Sequence, residues 1–130
     1  MRQLNSPSRL MRIGEVARAC GLTRRAIRFY ETRGLITQIE RDDRDGRLYG
    51  AEVVDELEDI ALARRADLSL KDVADICRVG KAGGKAARRA RLAELCRARA
   101  AFLTEEQHRL ADILEEVSGG QALRAVAGAR

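Results

Sequence analysis

Residues 21–36 read GLTRRAIRFYETRGLI, placing four arginines and two aromatics in one short segment with a glycine near each end. At 100° per residue, Arg24, Arg25, Arg28 and Thr32 share about 100° of one helical face, with Phe29 at its edge. Ala26, Ile27 and Tyr30 fall on the opposite side. Thr23 offers a hydroxyl that can cap the first turn, and Gly34 marks its stop. The segment therefore predicts a short helix that presents arginine outward from a small apolar seam.

The flanking sequence gives this helix its setting. Upstream, Ile13, Val16, Ala17 and Cys20 recur at i, i+3, i+4 and i+7, the pattern of a two-turn amphipathic helix that Gly21 terminates. Two short helices joined by a tight glycine-containing turn read as a helix-turn-helix. Residues 1–11, with Asn5, Ser6, Pro7 and Ser8 together, read as a loose polar arm. Downstream, Gln38–Arg41 and Arg47–Tyr49 alternate around Asp42–Gly46, whose Asp-Gly pair signals a hairpin. A small two-stranded wing is expected there.

The remainder is helical in pattern. Val53, Val54, Leu57, Ile60, Ala61 and Arg64 follow 3.6-residue spacing, with the acids of that segment expected on its outer side. Ser69 is the expected cap of the next helix, with Asp72 three residues on, and Leu70, Val73, Ala74 and Cys77 form its apolar face. Gly83 and Gly84 mark a hinge. Beyond it, Leu92, Cys96, Arg99, Leu103, Glu106, Leu110, Ile113 and Val117 step alternately by four and three residues, a coiled-coil seam. Arg99 and Glu106 interrupt that seam with opposite charges that two antiparallel copies can pair. The fold class expected is mainly α, with an arm over 1–11, a winged helix-turn-helix over 12–80, a dimerisation helix over 81–118 and a tail over 119–130.

Charge is distributed by segment. The chain of 130 residues carries a net +5, but residues 51–80 hold 4 Lys/Arg against 8 Asp/Glu, while residues 1–50 hold 11 against 6 and residues 81–130 hold 10 against 6. A basic front points to an anionic partner, and arginine suits forked contacts to phosphates and base edges. Lys85, Arg88, Arg89 and Arg91 read either as a solvated helix start or as a second patch near that partner.

Other classes are disfavoured. No stretch approaches the roughly 20 apolar residues of a membrane span, and the polar, arginine-bearing start MRQLNSPSRLMR has no signal-peptide core, so the cytoplasm is the default. Cys20, Cys77 and Cys96 are odd in number and widely spaced, which speaks against a disulfide framework or a zinc site, and they are expected as small apolar side chains. The single histidine, His108, has no nucleophile or acid pair to work with, so neither an enzyme nor a cofactor is expected.

The segments RIGEVARACGLTRRAIRFYETRGLI, DGRLY and LSLKDVADI, in that order and ahead of a long helix, resemble the DNA-binding domain of the MerR family of bacterial transcription regulators over roughly residues 11–80. The resemblance implies a dimer on an inverted repeat of double-stranded DNA, with the second helix in the major groove and the wing on the flanking backbone. It further implies distortion of promoter DNA to realign its elements for RNA polymerase. It assigns DNA contacts to Arg25, Arg28, Phe29, Tyr30, Arg47 and Tyr49. Thr23 and Arg24, the cap and outer face of the same helix, are expected to join them, and the seam residues Leu92, Cys96, Leu103, Leu110, Ile113 and Val117 are the expected dimer contacts. Ala26 departs from the family's usual hydroxyl residue and Gly50 from its usual Ser/Asp cap. The segment SGGQALRAVAGAR has neither cysteine nor histidine where metal-sensing members hold their ligands, so no metal is expected. Two alternatives of other kinds are an architectural or recombination-accessory DNA binder, and a protein-interaction module working through its long helix.

Overall fold

The computed structural model describes residues 10–37, 40–41 and 46–119. The expected arm at 1–9, the alternation at Gln38 and Ile39, the Asp42–Asp45 turn and the tail from 120 lie outside the described residues. The element order is β1 (Met11–Arg12), α1 (Ile13–Cys20), α2 (Arg24–Thr32), β2 (Glu40–Arg41), β3 (Arg47–Tyr49), α3 (Ala51–Arg65) and α4 (Leu70–Leu114), followed by one π-helical turn at Glu115–Gly119. This is a winged helix-turn-helix followed by a long helix. The chain divides into two compact units between Cys96 and Arg97.

Local chemistry sets the limits of the short helices. Glu15 accepts the Arg12 backbone N–H at 2.9 Å at the start of α1. Gly21 closes that helix at φ 72°, a left-handed geometry that glycine adopts without a Cβ penalty, and donates its N–H to the Ala17 carbonyl at 2.9 Å. Two residues on, Thr23 Oγ1 accepts the Ala26 N–H at 3.0 Å and starts α2. Ser69 does the same for Asp72 at 3.1 Å. These caps satisfy donors that the first turn of a helix otherwise leaves open.

The sheet has three strands in the order β1-β3-β2, all antiparallel. Met11 pairs with Tyr49 and Arg12 with Leu48, so the expected loose arm ends in a strand that docks on the wing. Two residues are too short to show alternation in sequence, and their partner strand is remote. Glu40 and Arg41 pair with Leu48 and Arg47 as the hairpin.

Packing centres on α3. Val16, Ile27, Tyr49, Leu57, Ile60, Ala63, Val73 and Ile76 are fully covered, and they join α1, α2, the wing, α3 and α4 into one core. Glu52 and Glu58 of α3 are exposed as expected, but two of its five acids depart from that pattern. Glu56 and Asp59 are buried, not outward, because α3 is covered on more than its apolar stripe. Glu56 accepts the Thr37 backbone N–H at 2.7 Å and its hydroxyl at 2.6 Å, tying down the chain that leaves α2. Asp59, 1% exposed, accepts Arg88 Nε at 2.6 Å, and Arg88 is itself 4% exposed.

Helix α4 leaves helical geometry at Gly84, where φ is 92° and ψ is −177°. That region of backbone space belongs essentially to glycine. Past the break, the basic cluster is neither a free solvated start nor a free patch. Lys85 pairs with Asp55, Arg88 and Arg89 with Asp59, and Arg91 with Asp75 and Glu94. Leu92 is buried in the core of the first unit and Cys96 is half-buried against it. The first unit therefore runs on past residue 80, where the sequence reading ends the winged domain. In the second unit, Phe102, Leu103, Leu110, Ile113, Leu114 and Val117 are exposed.

Asp59→Ala should destabilise the protein by about 3–5 kcal/mol, because it strands the Arg88 guanidinium in the core. The double replacement Asp59→Leu/Arg88→Met should recover most of that loss. Chemical denaturation of the three proteins checks both, and a single mutant as stable as the parent would show that the pair does not hold the helix.

Candidate nucleic-acid interface

The outer face of α2 is built by its burial pattern. Ile27 and Tyr30 insert into the core, which turns Arg24, Arg25 and Arg28 to solvent. None of these three arginines makes an ion pair with a carboxylate among the described residues, in contrast to the four cations at 85–91. The Arg24 guanidinium lies over the N-terminal turn of α1, close enough to Gly14 that a Cβ there would stand 2.8 Å from Nη2. Glycine at position 14 thus leaves room for this arginine.

The aromatics divide. Phe29 is partly exposed, its ring meeting Tyr30 edge-on at 5.5 Å and carrying the Arg33 guanidinium at 4.7 Å from its centroid. That cation–π contact extends the positive face to the last turn of α2. Tyr30 is buried, as its position beside Ile27 on the helical wheel implies, and at 6% exposure has little surface to offer a ligand.

The wing corrects one expectation and adds one residue. Tyr49, assigned to a phosphate from the resemblance, is wholly buried, and its hydroxyl donates to Glu31 Oε1 at 3.4 Å. Burial, reinforced by the negative charge of Glu31, pushes the phenol up to about 12, so it stays protonated and able to donate. Arg47 lies on the same carboxylate, Nε to Oε1 at 3.1 Å, with its side chain still one-third exposed. Glu31 therefore fixes the recognition helix and the wing strand to each other. The sequence reading passed over it; an acid standing alone in a basic helix was the available signal.

The thiols are quiet. Cys77 is buried, and burial pushes its thiol up to about 11 with Glu56 adding to the effect. Cys20, with Sγ 3.8 Å from the Val54 carbonyl, is also pushed up to about 11, by burial first and then by Glu58 and Asp55. Both stay protonated at neutral pH, the form that is a poor nucleophile and metal ligand. Among the described residues no group of three or more His, Cys, Asp and Glu is placed to hold a metal ion, and no helix is long and apolar enough to cross a membrane.

An arginine face on α2 that no carboxylate among the described residues neutralises, with a wing fastened beside it, defines a winged helix-turn-helix protein with a cationic outer helix. Residues 11–79 match the MerR HTH family of regulatory proteins, and the chain belongs to that family, one of regulators and not of enzymes. It is 37% identical over 62 residues to the mercuric resistance operon regulatory protein of Bacillus cereus, covering 48% of this chain and 47% of that protein. It is 36% identical over 66 residues to the transcriptional regulator CueR of Escherichia coli, covering 51% and 49%. The chain thus spans about half the length of these curated relatives. Its fold is similar to that of HiNmlR, a MerR family regulator lacking the sensor domain and solved bound to promoter DNA, with a TM-score of 0.60, 20% identity and 92% of each chain covered.

Glu31→Gln should loosen the wing without unfolding the helices. Stability should fall by about 1 kcal/mol, a partly exposed charged hydrogen bond being worth less than a buried one. Hydrogen exchange at β1 and β3 should rise while α1 and α3 keep their protection. Unchanged exchange in β3 would show that the sheet and core hold the wing unaided.

Proposed function

We propose that the protein is a homodimeric, sequence-specific transcription regulator that binds an inverted-repeat promoter site. Helix α2 enters the major groove, where Arg24, Arg25 and Arg28 reach base edges and phosphates. Thr23 lies at the end of α2 that meets the DNA backbone, and Phe29 flanks the arginines. Arg47, held by Glu31 through Nε, turns its remaining donors to a flanking phosphate, which fixes position without reading sequence. The observation that carries this reading is that, among the described residues, the three α2 arginines have no ion-pair partner, whereas the clustered cations Lys85, Arg88, Arg89 and Arg91 all do. HiNmlR, a MerR family regulator of similar fold, is solved bound to promoter DNA, which supports DNA as the partner.

The second unit supports dimerisation. Leu103, Leu110, Ile113 and Val117 keep the seam spacing and are all exposed, with Phe102 and Leu114 beside them. A helix with that much apolar surface gains by covering it. Leu92, placed on the seam from sequence, is buried by its own chain, so the pairing surface proposed is the part beyond Cys96. Dimerisation sets two α2 helices at a fixed separation on one face of the duplex. Distorting the promoter between two half-sites for RNA polymerase costs of order a few kcal/mol, offset by the second half-site's contacts.

Arg25→Ala and Arg28→Ala should each weaken specific binding by about 1–3 kcal/mol while the fold persists. Operator titrations at fixed salt read this directly, and two variants of parental affinity would remove α2 from the groove.

Replacing Leu103 and Leu110 together with glutamate should dissociate the dimer, since each leucine buried there is worth about 1.5–3 kcal/mol. Operator affinity should collapse with it, because half-sites then bind one at a time. Sedimentation with DNA titration decides the matter; a double mutant that stays dimeric places the interface elsewhere.

A further inference from the structure

The first unit contains a cavity of about 240 Å³ that the DNA-facing residues do not use. Thr37, just after α2, forms one wall, α3 another, and the stretch of α4 around the Gly84 break closes it. The volume suits a ligand smaller than the usual drug-sized occupant.

The hydrogen-bonding capacity left open around it is mostly on the donor side. Arg88 lines the cavity, is 4% exposed, and spends Nε on Asp59, but its Nη2 is buried without a partner. A buried unpartnered donor of this kind is rare in folded proteins and calls for an acceptor. Lys81 donates one hydrogen bond to the Gly34 carbonyl and Lys85 pairs, among the described residues, with Asp55 alone, so both ammonium groups keep donors to spare. On the acceptor side, Asp55 is occupied by Lys85 and Glu56 by Thr37, which leaves Glu52 without an ion pair among the described residues.

Three cations thus face three carboxylates. A polyanion would be attracted by the first set and repelled by the second, and an apolar ligand would leave Arg88 unsatisfied. A molecule that carries both charges and no net charge matches both. We propose that this cavity binds a small zwitterion of the amino-acid class, its carboxylate toward Arg88, Lys81 and Lys85 and its ammonium toward Glu52.

Such a ligand would sit against two segments that matter to the proposed DNA reading. Lys81 bonds to Gly34, at the end of the recognition helix, and Gly84 is where α4 breaks. Ligand and DNA affinities are then linked reciprocally. This coupling rests on the DNA-binding proposal; the binding site itself does not.

The test is a titration of the full-length, isotope-labelled protein, followed by amide NMR, with an equimolar mixture of the twenty free amino acids and then with each singly. Acetate, methylammonium and inorganic phosphate serve as the partial and rival ligands. Saturable shifts at Thr37, Gly80 and Gly84 with one or more amino acids are expected, with weaker binding of acetate or methylammonium alone. Lys81→Ala and Glu52→Ala, both at exposed positions and so compatible with folding, should each lower affinity about tenfold. No saturable shift at millimolar concentration, parental affinity in both variants, or tighter binding of phosphate than of any amino acid would each overturn the proposal. DNA titrations run on the same samples separate the two ideas: failure to bind DNA with amino-acid binding intact sinks the regulator reading alone, and the reverse result sinks this one alone.

Discussion

The buried ion pair between Asp59 and Arg88 is the contact on which the arrangement of the first unit depends. A carboxylate almost wholly removed from water on α3 requires a partner, and the guanidinium that supplies it comes from beyond the Gly84 break. Meeting that requirement brings the next turns of α4 against α3, where Leu92 reaches the core, Lys85 meets Asp55 and Arg89 shares Asp59, while Arg91 meets Asp75 on the first part of α4. A buried pair of this kind contributes little net stability over an apolar one, but it penalises any register that leaves one charge alone. The glycine break and the ion pair serve the same end, since the backbone of residue 84 lets α4 change course just where Arg88 must reach inward.

This pairing also explains the charge pattern of the chain. Asp55, Asp59 and Asp75 of the acidic segment 51–80 are internal counterions of the basic stretch at 85–91. Once those charges are matched, Arg24, Arg25 and Arg28 of α2 stand out as a cationic cluster with no paired carboxylate among the described residues. Partner-seeking charge and structural charge look the same in composition and separate only when each cation's neighbours are known. Glu31 shows the same economy at smaller scale: one carboxylate restrains Arg47 and Tyr49 and so sets the wing against the recognition helix.

The two units differ in how they satisfy their apolar groups. The first covers most of its large apolar side chains with its own chain, down to Leu92, Leu10 and Phe29 being exposed. The second leaves a line of leucine, isoleucine, valine and phenylalanine open along its helix. A division of this kind fits the proposal that the first unit folds around its own core and that the remaining helix pairs with a second copy.

The sequence by itself determined the elements whose causes are local. The helix-turn-helix followed from Thr23, Gly21, Gly34 and the 3.6-residue spacing of Ile27 with Tyr30, because caps, left-handed stops and amphipathic faces are written within a few residues. It also determined the exposed arginine face, the wing's second strand and the glycine hinge. Only tertiary structure decided the rest. β1 is two residues whose partner lies far along the chain; Tyr49 became core because α2 and the sheet close over it; and Glu56 and Asp59 went inward against their periodicity because Thr37 and Arg88 arrive to receive them. Leu92 was drawn from the seam into the chain's own core by the same clasp. Local propensity sees a residue's neighbours in sequence, whereas the burial of a charge is permitted or forbidden by a partner that only the fold delivers.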